Sequence, residues 1–280
     1  MTWYRDPAAW QDALDKYGSI NAVAKAMGEN RAKLQGWARR HAEEARGEVP
    51  WGMGRAQLVK PATRESWERV VFLSDVHVPY QDHALVASAL ALIRRWEPHR
   101  VVLNGDIADL FVCSRFNTSN ERMDSLQDDI DEANEFRRAV REAAPGAVLD
   151  ETAGNHDDRT VTYVKQNARA LYSLRALQPE NLFAYRELGI NWHPGAGFLL
   201  RPGFLVKHGT VVRGEAGASA KAELLAAGIS GISGHTHRLA TYRREGYVAR
   251  EWHEQGCLCR VDPDYIKGGV ANWTQGIAVG

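Results

Sequence analysis

The sequence predicts an α/β domain behind a small all-helical one, and three observations carry that prediction. Five apolar runs of strand length stop abruptly at small residues followed by Asp, Asn or His: VVFLSDVH (Val70 to His77), RVVLNGD (Arg100 to Asp106), VLDETAGNHD (Val148 to Asp157), LVKHGT (Leu205 to Thr210) and GISGHTH (Gly231 to His237). That is how an α/β sheet delivers ligands beyond its strand ends. Between these runs lie stretches with apolar residues three and four apart, the period of helices packed on a sheet. Ahead of them, residues 1–46 read as helices alone.

Pro7 to Tyr17 reads as a short helix closed by Gly18. Ser19 can cap a second, Ile20 to Met27, and a third runs from about Arg31 to His41. Ile20, Val23, Met27, Leu34 and Trp37 fall on inward positions, and Gly28 can take the positive φ of a tight turn. This resembles a helix-turn-helix of the DNA-binding kind, whose third helix would present Arg31, Lys33, Arg39 and Arg40 to phosphates and the major groove. A helical hairpin that packs on a partner is the alternative. Residues 47–67, broken by Pro50, Gly52, Gly54 and Pro61, read as a linker, and 68–280 as the second domain.

That domain opens with the strand Arg69 to Ser74. Asp82 caps a helix from His83 to Trp96, and a strand follows at Val101 to Asn104, a βαβ unit with parallel strands. A second crossover helix, about Glu121 to Ala144, presents Met123, Leu126, Ile130, Ala133, Phe136 and Val140 and leads into the strand Ala147 to Glu151. The polar loop Phe111 to Asn120 offers Arg115 to a substrate. A helix is expected over Arg159 to Leu177, a hairpin about Arg201-Pro202-Gly203, a short helix Lys221 to Ala227 and an antiparallel pair turning at Glu245-Gly246. NWTQGIAVG reads as a last strand, and its abrupt end raises the expectation that the natural chain continues.

Lys plus Arg and Asp plus Glu both number 35, so the molecule as a whole is not an electrostatic nucleic-acid binder and any basic face must be local. Three cysteines, Cys113, Cys257 and Cys259, form no CxxC pair and no even framework, which suits a reducing interior. MTWYRDPAAW lacks the apolar core of an export signal, and no stretch approaches the roughly 18 apolar residues of a membrane span. A cytoplasmic protein is therefore expected.

Taken in order, the strand ends read Asp75-x-His77, Gly105-Asp106-x-x-Asp109, Gly154-Asn155-His156-Asp157, His208 and Gly234-His235-x-His237. Alternate residues of an extended segment point together, so Asp75 with His77, and His235 with His237, could each bite one ion. The glycine before Asp106 removes bulk, and that carboxylate could bridge two ions. Set out so, the series resembles the calcineurin-like metallophosphoesterase superfamily, with its DxH, GDxxD, GNH(D/E), H and GHxH motifs, over about Val70 to Asn272. The resemblance implies an α/β/β/α sandwich and a dinuclear centre. Its first metal would take Asp75, His77, Asp106 and His237, and its second Asp106, Asn155, His208 and His235. Two divalent ions about 3.5 to 4 Å apart make hydroxide available at neutral pH and clamp the phosphoryl oxygens. In the family, His156 would protonate the leaving oxygen or stabilise charge, held by Asp109, whose carboxylate is expected to raise its pKa. Asp157 and Asp158 are read as supporting or helix-capping residues. Carboxylate, amide and imidazole without thiolate suit Mn²⁺ first, with Fe, Zn²⁺ or Ni²⁺ as alternatives.

The departures GDIADLF and AGNHDD weigh against phosphoprotein substrates. With the helix-turn-helix-like head, the resemblance leans to the Mre11 and SbcD nuclease branch, a pairing expected in phages, and to a phosphodiesterase acting on DNA. Arg115, Arg159 and Arg213 would form a dispersed substrate rim. The alternative is a phosphomonoesterase on a small substrate, its head binding a protein partner.

Overall fold

The computed structural model describes residues 13, 16, 20–30, 34, 56–63, 67–114, 125–261 and 271–280. It divides into two compact units, Met1–Arg55 and Ala56–Gly280. In the first, α1 spans Ile20–Met27 and buries Val23 and Ala24, with Leu34 also buried. Gly28 follows at φ 67°, and the Glu29 N–H closes the turn on the Ala24 carbonyl at 3.0 Å. The expected flanking helices, with Arg31, Lys33, Arg39 and Arg40, lie outside the described residues.

The second unit has two facing sheets. One contains β1 (Gln57–Leu58), β6 (Phe198–Arg201), β7 (Phe204–Val206), β8 (Ser230–Ser233), β9 (Leu239–Arg244) and β10 (Arg250–Gln255) in the order β1-β6-β7-β8-β10-β9. The other runs β11-β2-β3-β4-β5, with β2 Val70–Leu73, β3 Arg100–Leu103, β4 Val148–Thr152, β5 Ile190–His193 and β11 Ala278–Val279. Strands β2 to β5 are parallel, and β11 joins β2 antiparallel. Helices α2 (His83–Trp96) and α3 (Leu126–Ala143) make the two crossovers. Asp82 caps α2, its Oδ1 accepting the Leu85 N–H at 2.9 Å. Ser125 and Asp128 form a reciprocal capping box that starts α3, a device worth about 1 kcal/mol.

The strand period of two divides the core into layers. Val70, Phe72 and Val102 meet Phe198, Val206 and Ile232 between the sheets. Val71, Leu73, Val101 and Leu103 belong instead to the core shared with Ala89 and Ile93 of α2 and Ile130, Ala133, Phe136 and Val140 of α3. Helix α5 (Ala218–Ala227) packs on β8, β9 and β10, with Ala220, Leu224 and Ala227 buried. The result is the α/β/β/α sandwich. Fully burying a side chain such as Leu73 contributes about 1.5–3 kcal/mol.

Strand β4 carries two charges into this core, and each is matched. Asp150 accepts from Arg100 and lies 2.7 Å from His193 Nε2. Glu151 accepts from Arg137 Nε at 2.9 Å and from the Tyr185 hydroxyl at 2.9 Å. Matching buried charges in this way avoids the cost of leaving one unpaired.

Two local expectations change. Gln57–Leu58, within the expected linker, pairs in parallel with Phe198 and Leu199, and Arg100 Nη2 bonds the Lys60 carbonyl at 2.6 Å. The single helix expected over Arg159 to Leu177 is α4 (Arg159–Asn167) followed by two 3-10 turns, Arg169–Leu171 and Arg175–Leu177. Ala168 leaves the helical region at φ −143°. Among the described residues no helix is long and apolar enough to cross a membrane.

Candidate metal centre

The carboxyl ends of β2, β3, β4, β7 and β8 deliver Asp75 and His77, Asp106 and Asp109, Asn155 and His156, His208, and His235 and His237 respectively. The side chains do not converge by strand alternation, as the DxH spacing suggests. Asp75 (φ 52°), His77 (50°), Asp106 (51°), His235 (67°) and His237 (57°) all adopt left-handed backbone, which among the described non-glycine residues only Glu97 and Leu110 share. Each such residue costs about 1–3 kcal/mol, and strain of this kind gathers at functional sites. The chain turns sharply at these positions and aims successive side chains inward.

Two groups of three potential ligands result, Asp75 with His77 and His237, and Asp106 with His208 and His235. A third, His77 with Asp106 and His156, joins them. His237 Nε2 lies 3.1 Å from Asp75 Oδ1 and 3.0 Å from His77 Nε2. Asp106 Oδ2 stands 3.1 Å from His208 Nε2, 3.8 Å from His77 Nε2 and 3.9 Å from His156 Nε2. Asp106 thus touches both groups, as a bridging carboxylate must. Asn155 is exposed at the turn after β4.

Hydrogen bonding from behind fixes which ring atoms face the centre. His208 Nδ1 lies 2.8 Å from the Asn104 carbonyl and must donate to it, so Nε2 carries the lone pair. That buried Nε2 has no hydrogen-bond partner and faces Asp106 Oδ2, another acceptor. Two opposed acceptors require a cation. A proton can serve: burial pulls the His208 imidazole down, but Asp106 and Asp75 outweigh it and push its pKa up to about 9. A divalent ion would satisfy both atoms, so the residues present fit such an ion. His77 is set the same way, its Nδ1 3.2 Å from Asp109 Oδ2.

The glycines of the motifs are required by close approach. A β-carbon on Gly154 would collide with the Asp106 carboxylate and backbone nitrogen, and one on Gly234 with Ser74 Oγ and Asp75 Oδ2. Through that gap the His235 N–H reaches Asp75 Oδ2 at 3.0 Å, while Ser74 Oγ donates to the same oxygen at 2.5 Å. Asp157 accepts from Asp106 N (2.8 Å), Gly154 N (3.1 Å) and Ala108 N (3.2 Å). It locks the β3 and β4 loops together, and neither it nor Asp158 gives α4 a side-chain cap. Asn104 ties the two sheets behind the centre, donating to Gln255 Oε1 and accepting from Thr152 Oγ1, each at 2.9 Å.

Asp109 Oδ2 is 3.2 Å from Nδ1 of both His77 and His156. Its carboxylate does not raise the His156 pKa overall. Burial dominates and, with His77, holds that imidazole below its usual range against the pull of Asp106 and Asp109. The contacts of Arg159 agree with that state: Nη1 bonds the Asp109 carbonyl (2.8 Å) and Oδ1 (3.0 Å), and Nη2 lies 3.1 Å from His156 Nε2. A guanidinium only donates, so His156 Nε2 accepts and the ring is neutral. Arg159 therefore sits in the site, whereas Arg213 is exposed and is held through its backbone, its N–H on Ser219 Oγ and its carbonyl accepting from Arg238. Arg115 lies outside the described residues. Sequence reading assigned Ser74 and Asn104 no role and missed the thiols behind His237. Cys259 Sγ is 3.9 Å from His237 Nδ1. The neighbouring Cys257 and burial push the Cys259 pKa far up, so it remains a thiol.

No protein-family model matches the chain. It is similar to the Gene 54 proteins of Mycobacterium phage L5, 29% identical over 226 residues, and of Mycobacterium phage D29, 28% identical over 225. Each match covers 76% of this chain and 88% of the relative. Among solved structures it overlaps loosely with a Vps29 mutant from Entamoeba histolytica (TM-score 0.37, 15% identity, 71% of this chain and 79% of that one). It overlaps similarly with the Pseudomonas putida nuclease MPE (0.31, 15%, 66% and 72%) and with YfcE, a phosphoesterase from E. coli (0.32, 13%, 72% and 85%).

Proposed function

We propose that this protein is a metal-dependent phosphoesterase with a dinuclear centre, and that it acts as a phosphodiesterase on DNA. The observation that carries the reading is Asp106, buried between two imidazole groups with its Oδ2 opposed to the orphaned His208 Nε2. Asp75, His77, Asp106 and His237 would hold one ion, and Asp106, Asn155, His208 and His235 the other, with Mn²⁺ the first expectation from their oxygen and nitrogen donors. Such ions lower the pKa of a shared water and neutralise phosphoryl charge.

The protein's own groups supply the rest. Asp109 Oδ2 bonds His77 Nδ1 and stands beside His156 Nδ1, and the Asn104 carbonyl fixes the His208 ring. His156 and Arg159 form a couple at the open side, the neutral imidazole holding the guanidinium through Nε2. On substrate binding Arg159 can turn to a phosphoryl oxygen, which frees His156 Nε2 to stabilise the leaving oxygen or to share a proton with it. No side-chain nucleophile is needed.

The DNA substrate is supported by the open distribution of cations and by the helical head, whose Arg31 to Arg40 stretch we assign to phosphate contact. The test is a Mn²⁺-supplemented panel of bis(p-nitrophenyl) phosphate, p-nitrophenyl phosphate and single- and double-stranded DNA, run on the full chain and on a chain lacking residues 1–46. Diesters and DNA should be cut in preference to the monoester. Loss of the head should weaken duplex binding, and with it the steep fall of affinity with salt, while sparing the small diester. Brisk phosphate release from monoesters with every DNA form left uncut would overturn the DNA reading.

A further inference from the structure

The stretch that leaves the site through Arg159 combines basic residues with exposed apolar and aromatic ones. From Arg159 to Gln178 it carries four basic residues (Arg159, Lys165, Arg169, Arg175) and no acidic one, in a protein whose charges cancel overall. Thr160 and Val164 anchor α4 inward, and nearly every residue from Lys165 to Ala176 is exposed. Large apolar and aromatic side chains are exposed with them: Tyr163 45%, Leu171 46%, Tyr172 39% and Leu174 49%. Solvation alone accounts for exposed cations but not for four such side chains within twelve residues. Tyr163 is one helical turn, about 6 Å, beyond Arg159 on the same side of α4. Further out, Lys165 Nζ lies 4.8 Å from the centre of the Tyr172 ring, and Arg169 and Arg175 have no side-chain partner among the described residues.

We propose that Tyr163, Lys165, Arg169, Tyr172 and Arg175 form a track for single-stranded nucleic acid that leads to the candidate metal centre. The inference rests on the phosphodiesterase reading for its direction, but not for its physics. A polyanion complements the cations of this segment, which itself carries no carboxylate although Asp158 at its start lies close to Lys165, and the two tyrosines offer ring faces on which bases of any sequence can stack. The flanking leucines cover the apolar faces of sugars and bases. An interface with a second copy of this chain would need an acidic counterpart.

The test measures fluorescence anisotropy of a labelled oligothymidine on the full-length, Mn²⁺-loaded protein carrying His156→Ala, so that the strand survives the titration. Tyr163→Ala with Tyr172→Ala should weaken binding at least about tenfold. Arg169→Gln with Arg175→Gln should lower the slope of log affinity against log salt by about 1.4, about 0.7 for each phosphate no longer neutralised, and Arg169→Lys with Arg175→Lys should restore it. Circular dichroism melts of each variant guard against loss of fold. Affinities within twofold of the parent in both double variants, or no oligothymidine binding by the parent, would refute the track. So would a dimer seen by light scattering that these substitutions dissociate without changing oligothymidine affinity. Hydrolysis of bis(p-nitrophenyl) phosphate by the wild type is read separately: a protein that binds the strand through these residues but spares the diester keeps the track and loses the phosphodiesterase reading.

Discussion

Replacing Asp106 by Asn is expected to strip the centre of its divalent ions and to abolish turnover, a fall of about 10³ or more. The residue is 1% exposed, and its two carboxylate oxygens have different duties. Oδ1 accepts the His156 N–H at 2.8 Å, which the amide oxygen of Asn could still do. Oδ2 faces His208 Nε2 at 3.1 Å, and an NH₂ there is a donor that cannot ligate. The substitution also removes the negative charge that, with Asp75, favours a cation at His208. Even residues that only orient metal ligands are worth about 10- to 100-fold in metal affinity, so loss of a shared ligand should exceed that at both positions. Elemental analysis of the purified variant after gel filtration checks this directly. Retention of the wild-type metal content would remove Asp106 from the bridging role.

His156→Ala is expected to lower turnover by about 10² to 10⁴ with metal content little changed, the range for loss of a positioned acid-base or charge-stabilising group. The imidazole is within reach of Asp106 Oδ2 only at 3.9 Å, yet its Nε2 is 3.1 Å from Arg159 Nη2. Its nearest relation is with the cation, not with the ligand groups. The variant should therefore separate chemistry from metal binding, in contrast to Asp106→Asn. If it emptied the centre instead, His156 would be a ligand and the couple with Arg159 a by-product.

The positions of the site were legible in the sequence because five strand ends carry Asp, Asn and His in motif spacing. The geometry was legible only in part. Asp75 and His77 converge through two left-handed residues, not through the alternation of a strand, and local propensity gives no sign of a non-glycine residue held at φ 52°. Asp157 reads locally as a helix cap, but its partners Asp106 and Ala108 lie about fifty residues away in another loop. The same holds for Asn104, which joins β4 to β10 through side chains that are distant in sequence. Arg159 and Arg213 look alike in the sequence. Only the first is drawn into the site, because the Asp109 carboxyl and carbonyl hold it there. Gln57–Leu58 is too short to show a period, and only its pairing with β6 reveals a strand.

The measurement that tests the central claim most directly is the metal content of the wild-type protein. After exhaustive chelation and reconstitution with Mn²⁺, the account predicts two ions per chain and hydrolysis of bis(p-nitrophenyl) phosphate that disappears with the chelator and returns with the metal. Full activity in protein shown by elemental analysis to be metal-free, or a reconstituted protein that binds no divalent ion at this site, would contradict it.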